Sequence, residues 1–192
     1  ISFQAMPVGD RWMAALFQSV SAMTTVGYNT VDVSQMVPIS LLILTITMYI
    51  GASPSGTGGG LKSTTISALY AYTKNALEMR KEVSLRGNII PHYRIASALT
   101  TVLFYTFILF VGIYLIGLFE PDSADFLKIS FEAVSALATA GLTSGILSDI
   151  TLGSKAVLII LMYIGRVGVI TFGNAMLAGR EENIKGSKDM AV

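Results

Sequence analysis

Two short stretches of this chain, Thr24-Thr25-Val26-Gly27-Tyr28-Asn29-Thr30 and Thr139-Ala140-Gly141-Leu142-Thr143, hold residue types that can turn successive backbone carbonyls toward one point. Such chemistry needs a glycine, because aiming consecutive carbonyl oxygens at one axis calls for backbone angles that a Cβ resists. The stretches lie 114 residues apart. At that offset six of the fourteen positions starting at Phe17 and Phe131 are identical (Phe17/Phe131, Val20/Val134, Ser21/Ser135, Ala22/Ala136, Thr25/Thr139, Gly27/Gly141), where chance gives roughly one. The same register continues through Leu44, Ile46 and Met48-Tyr49-Ile50-Gly51, which recur as Leu158, Ile160 and Met162-Tyr163-Ile164-Gly165. The chain is internally duplicated.

Thr25-Val26-Gly27-Tyr28 is similar to the Thr-Val-Gly-Tyr-Gly stretch of potassium-channel filters, in which carbonyl oxygens replace an ion's hydration shell. On that reading the backbones of Thr25, Val26, Gly27 and Tyr28, and of Thr139, Ala140, Gly141 and Leu142, bind K+. A lone Val-Gly-Tyr is more simply a tight turn after a helix. Two registered copies in a chain of this composition favour the filter. Tyr28 and Asn29 are expected to buttress the filter or its outer mouth rather than to coordinate through their side chains.

Charged residues make up 13% of the chain and the apolar group 53%, whereas soluble domains carry about 25% charged residues. That balance predicts a helical integral membrane protein. A net charge of +1 gives no reason to expect nucleic acid, and the absence of cysteine leaves the redox compartment open. No nucleophile, base and orienter set stands out, and no enzyme or cofactor is expected.

The elements that must position the two stretches follow from length and charge. Asp10 to Thr24 reads as a helix capped by Asp10, about 22 Å long and too short for a hydrocarbon core of about 30 Å. It is expected to re-enter, with its negative C-terminal end aimed at the filter. Asp122 to Ala138 reads the same way. Val37 to Leu61 is uncharged and is expected to descend as a span, but Gly51-Ala52-Ser53-Pro54-Ser55-Gly56-Thr57-Gly58-Gly59-Gly60 breaks any continuous helix, which resumes near Ser63 and runs to about Met79. Ile95 to Phe119 is long enough to span, and Ala156 to Gly179 is expected to be the last span. The basic residues Lys74, Arg80, Lys81, Arg86 and Arg94, and those of the tail, Arg180, Lys185 and Lys188, place their segments inside. Asp32, Glu120, Asp122, Asp125 and Asp149 place the filter side outside. Subtracting the repeat offset from Ile95–Phe119 puts its counterpart almost wholly before Ile1, so a segment is expected to precede the chain.

Arg166 is the one charge in the last span, near its centre, where an arginine costs about 2.5 to 3.5 kcal/mol and is functional by default. The plainer account is an ion pair with Glu132 or a cluster of carbonyls. Arg166 aligns with Ala52, so the arginine of one copy and the glycine loop of the other are expected at equal depth below the filter. Lys62 either snorkels to the inner interface or faces loop carbonyls. Gly56 to Ser63 is close to a phosphate-binding loop, but Leu61 stands where that motif needs its second glycine, and a membrane-embedded nucleotide-dependent enzyme is the weaker alternative. Glu132, at the place of Gln18, is expected to bond another pore helix.

Together, the Thr-Val-Gly-Tyr stretch, the Gly-Ala-Ser-Pro-Ser-Gly-Thr-Gly-Gly-Gly-Leu-Lys-Ser-Thr-Thr loop and Tyr-Ile-Gly-Arg-Val-Gly resemble the Ktr/Trk/HKT superfamily of potassium transporters, nearest its KtrB branch. The resemblance covers nearly the whole chain. It implies helix, pore helix, helix units around one pore, with residues 1–91 as the third unit and 92–192 as the fourth. It implies K+ at the filter as the transported ion, with Na+ as a candidate coupling ion. It also implies a gate of Ser53, Gly56, Gly58, Gly59, Gly60 and Lys62 closed with Arg166. The partners it implies are the missing N-terminal repeats, a second copy in a homodimer, a cytoplasmic nucleotide-binding regulatory ring of the KtrA kind, and lipid. Leu142-Thr143 departs from the filter pattern of potassium channels. Without its missing repeats, such a half is a non-conducting structural piece.

Overall fold

The computed structural model describes residues 6–52, 59–79, 83–85, 88–120, 125–169 and 171–172. Six α-helices make up about two thirds of these residues: α1 (Val8–Thr24), α2 (Pro38–Ile50), α3 (Ser63–Leu77), α4 (His92–Phe119), α5 (Phe126–Leu137) and α6 (Leu152–Val167). The chain is not purely helical. A two-residue antiparallel ladder, Ser84–Leu85 with Asn88–Ile89, lies between α3 and α4. Asn75 of α3 secures this hairpin, donating from Nδ2 to the carbonyl of Ser84 at 2.9 Å. No apolar periodicity in so short a stretch could signal it, because it has too few residues to alternate.

The duplication is visible in the element order. In each half a short helix (α1, α5) leads through a glycine bend and a one-turn 3-10 segment (Val33–Gln35, Ile146–Ser148) into a second helix (α2, α6). The start of α1 differs from expectation: Pro7 occupies the N-cap and Asp10 lies inside the first turn. Proline fits a helix start because its missing N–H is one the helix could not have bonded anyway. In the second half, Asp125 rather than Asp122 is the cap, accepting from the Leu127 amide at 3.1 Å, and the helix begins at Phe126.

The last span also differs. Helix α6 stops at Val167, where Gly168 adopts φ +92°, and helical backbone returns at Val169. Arg166 is thus in the last turn of α6, not mid-helix. There the negative end of the helix dipole favours a cation. The corresponding helix α2 ends at Gly51 with φ +66°, about three positions earlier in the register of the repeat.

Only α4 is long and apolar enough among the described residues to cross a membrane, with 28 residues. At 1.5 Å per residue it spans about 42 Å. Helix α5 is the hub, packing on α6, α2 and α4, and Ile129 and Phe131 to Leu137 are buried. Close approaches are licensed by small residues, as at Gly112, where a Cβ would meet Leu161 of α6 at 2.7 Å. Glu120 ties the end of α4 to the start of α6, its Oε1 accepting from the Thr151 amide at 2.6 Å and the Ser154 hydroxyl at 2.9 Å. Those bonds, the Thr151 amide foremost, hold the Glu120 carboxyl below the usual range.

The two short helices differ in how they are covered. Phe131 of α5 is fully buried, whereas its counterpart Phe17 is 44% exposed and Trp12, Met13 and Leu16 on α1 are exposed with it.

Candidate functional site

The two glycine stretches leave their helices along the same path. Thr25 and Thr139 have φ of 56° and 54°, and Gly27 and Gly141 have φ of 85° and 79°. Non-glycine residues seldom enter the left-handed region, so registered threonines there show one bend built twice. Identical bonds pin it. The amides of Val26 and Ala140 donate to the carbonyls of Ser21 and Ser135 at 3.1 and 2.8 Å. The hydroxyls of the same serines donate to the carbonyls of Tyr28 and Leu142, both at 2.6 Å. Neither serine is singled out by the motif itself. The signal for them is that both belong to the six identities.

The bends also touch. A Cβ on Gly27 would run into the carbonyl oxygen of Ala140, whereas one on Gly141 would meet nothing within 4 Å. Beyond the bends Ser34, whose hydroxyl and amide donate to Asp32 and hold that carboxyl below the usual range, packs against Gly145 of the other copy. The Tyr28 ring is 72% exposed. What braces this position is the bond to its backbone carbonyl from Ser21.

Beneath the bends lies the end of the glycine loop. The Gly59 amide donates to Thr25 Oγ1 at 2.8 Å, and a Cβ on Gly59 would collide with the Ala138 carbonyl and lie 2.6 Å from Thr139 Oγ1. Gly59 therefore wedges under both copies at once. Gly60, at φ +75°, packs on the Met48 carbonyl. Ser53, Gly56 and Gly58 lie outside the described residues. A cavity of about 330 Å³ follows, lined by Gly59, Gly60, Lys62, Tyr105, Thr139 and Arg166 among others. Lys62 and Arg166 are its cations, and no described lining residue is a carboxylate. Gly165, beside Arg166, lets α6 press onto the Leu137 carbonyl at the end of α5.

Arg166 also lines a second cavity, of about 360 Å³, with Glu132, Thr139, Gly141 and Leu142. Among the described residues no ion pair joins Arg166 to Glu132. Nor does Glu132 bond another pore helix. Its Oε1 accepts from the Thr143 hydroxyl at 2.8 Å and from the Ser144 amide and hydroxyl at 2.7 and 2.8 Å. It thus clamps the chain just beyond its own bend, where a nearby hydroxyl and amide are closer partners than a neighbouring helix. Gln18, its counterpart, is 2% exposed with both polar atoms of its side chain unbonded among the described residues. Losing the three donors' acceptor in Glu132→Ala is expected to cost roughly 3 kcal/mol, and Glu132→Gln, which keeps one acceptor, markedly less. Thermal unfolding of the purified full-length protein reads this, and equal, small shifts for both variants would refute the clamp.

Comparison with known proteins agrees with this geometry. Over 188 residues the chain is 34% identical to the Ktr system potassium uptake protein B of Vibrio alginolyticus, covering 98% of this chain and 41% of that one. It is 32% identical over 176 residues to the Ktr system potassium uptake protein B of Bacillus subtilis, covering 92% and 39%. The chain thus spans about two fifths of the length of these relatives. The crystal structure of the potassium transporter TrkH from Vibrio parahaemolyticus superposes with a TM-score of 0.72 at 23% identity, over 88% of this chain and 38% of that one, which establishes the fold. The TrkH model, described as a cation transport protein, matches residues 1–176. A match over so much of the chain makes it a member of the TrkH family of cation transport proteins, and so a membrane protein.

Proposed function

We propose that this chain supplies two pore-lining repeats of a potassium uptake protein, residues 1–91 and 92–192. The carbonyls of Thr25–Tyr28 and Thr139–Leu142 bind K+, with the bends facing outside and the α3–α4 connection inside. The observation that carries this reading is the pair of matched bends in contact through Gly27 and Ala140. Two of them supply part of a ring of carbonyls, and the exposed apolar face of α1 fits further repeats of the same protein. The loop at 53–60 and Lys62 form the gate with Arg166. A homodimer, a regulatory ring of the KtrA kind and Na+ as a coupling ion belong to the same proposal. Relatives named for potassium uptake support it.

The test is the full-length protein containing this segment, expressed with its regulatory subunit in cells that lack potassium uptake. Growth at low K+ and saturable K+ uptake are expected, while residues 1–192 by themselves restore neither. Full-length protein that inserts in the membrane and moves no K+ would overturn the proposal.

A further inference from the structure

The two bends are pinned alike as far as Tyr28 and Leu142, and then they part. In the second half Glu132 reaches past its bend, and its Oε1 takes the Thr143 hydroxyl and both the amide and the hydroxyl of Ser144. At the repeat offset of 114 the same places are held by Gln18, Asn29 and Thr30. Among the described residues none of these three side chains makes a hydrogen bond, nor do the amides of Asn29 and Thr30. Gln18 is 2% exposed, while Asn29 and Thr30 lie on the surface. A buried carboxamide without a partner is rare, because it has lost its bonds to water and formed none in their place. Gln18 is already covered, so a segment packing on α1 from outside does not reach its polar atoms. The groups at hand are those of its own bend.

We propose that Gln18 is the positioning residue of the first bend, closing on Asn29 and Thr30 in the complete pore as Glu132 closes on Thr143 and Ser144 in this structure. The differences between the halves match one another. A carboxylate only accepts, and Glu132 meets hydroxyl and amide donors; a carboxamide both donates and accepts, and Gln18 meets a second carboxamide in Asn29. In the clamp Gln18 Oε1 accepts from the Thr30 amide and hydroxyl, and its Nε2 donates to Asn29 Oδ1. Burial of the arm beyond the bend drives the closure. Ser144 is 1% exposed, so its donors have no water and take Glu132, whereas Thr30 is exposed and its donors still have water. Further repeats of the pore that cover Asn29 and Thr30 remove that water and leave Gln18 as the acceptor within reach. The consequence is for ion preference. A carbonyl filter discriminates by the number and placement of its oxygens, and the clamp adds a second hold to a bend whose far end is otherwise held by the Ser21 bond to the Tyr28 carbonyl.

The effect on ion preference rests on the transport reading above, whereas the bonds themselves are read without transport. The test uses the full-length protein with Gln18→Leu, which keeps the approximate volume and loses both polar ends, Thr30→Val, which loses the hydroxyl at nearly equal shape, and the two combined. A fourth variant, Gln18→Glu, supplies the acceptor found in the second half. Competitive uptake of K+ and Na+ is measured beside thermal unfolding of the purified protein. One net hydrogen bond is worth about fivefold in an equilibrium, so the preference for K+ is expected to fall about fivefold in Gln18→Leu and no further in the double variant. Gln18→Glu is expected to keep the parent's preference. The unfolding shifts of Gln18→Leu and Thr30→Val are expected to be non-additive, as they are for residues in contact. Should Gln18→Leu fail to insert, Gln18→Glu closes the same cycle, its unfolding shift differing with and without the Thr30 hydroxyl. Coupled unfolding shifts in a protein that moves no K+ would keep the clamp and sink the transport reading. Coupled shifts with unchanged K+ preference in every variant would overturn the part of Gln18 in ion preference. Additive shifts, with Gln18→Leu unfolding at a higher temperature than the parent, would overturn the clamp and leave Gln18 an unpartnered buried amide.

Discussion

Gly27→Ala is expected to lower the preference for K+ over Na+ about tenfold, and Gly141→Ala to lower it far less. Both glycines have positive φ, 85° and 79°, and an alanine held there costs about 1 to 2 kcal/mol in strain. Strain is therefore common to both variants. What differs is the neighbour: the new Cβ at position 27 lands on the Ala140 carbonyl, while that at 141 enters open space. The first substitution displaces a carbonyl of the opposite bend, and a difference of about 1.4 kcal/mol in the relative binding of two ions is tenfold. Discrimination depends on the number and placement of coordinating carbonyls, so the collision is read in selectivity and the strain mainly in stability. Competitive uptake of K+ and Na+ by the full-length protein is the measurement. Equal loss in the two variants would mean that contact between the bends does not govern selectivity, and no loss in either would remove the filter assignment.

Neutralising Arg166 is expected to raise K+ flux about a hundredfold if its charge acts alone, because two unit charges about 6 Å apart at an effective dielectric of about 20 repel by roughly 3 kcal/mol. The arginine lines both the cavity under Gly59 and the one behind Gly141. On the proposed path it would face a cation leaving the bends from either side. Its place in the last turn of α6 also explains how the chain carries the charge, since the carbonyl end of the helix favours it. Arg166→Gln keeps the side chain's approximate length and removes the charge, so flux per inserted protein is expected to rise. Arg166→Lys keeps the charge, and most of the barrier, but loses the planar fork. If Arg166→Gln inserts normally and conducts no faster than the parent, Arg166 is not a barrier. Should Arg166→Lys conduct as fast as Arg166→Gln, shape rather than charge is what restricts the path.

The sequence by itself determined the duplication, and with it the most specific features of the site. Identity at Thr25/Thr139 and Gly27/Gly141 means equal local backbone requirements, and at these positions the two bends share φ within a few degrees. Composition was enough for the long apolar helix α4, and the glycine run was enough for the break between α2 and α3, because helix propensity and length are local properties. The helix starts at Pro7 and Asp125 were less legible, since several residues in each place could cap. The break of α6 at Gly168 was hidden because an isolated glycine in an apolar run is tolerated inside a helix.

Only the tertiary structure decided which groups meet. The sequence pointed Glu132 to another pore helix, with Arg166 as the alternative, and instead three nearby donors from Thr143 and Ser144 take its Oε1. The contact of Gly27 with Ala140 and the bond from Gly59 to Thr25 join residues dozens of positions apart. Sequence periodicity reports which face of a helix is apolar. It carries no information on which face of another helix will cover it, because close packing between elements depends on the shape of both surfaces at once.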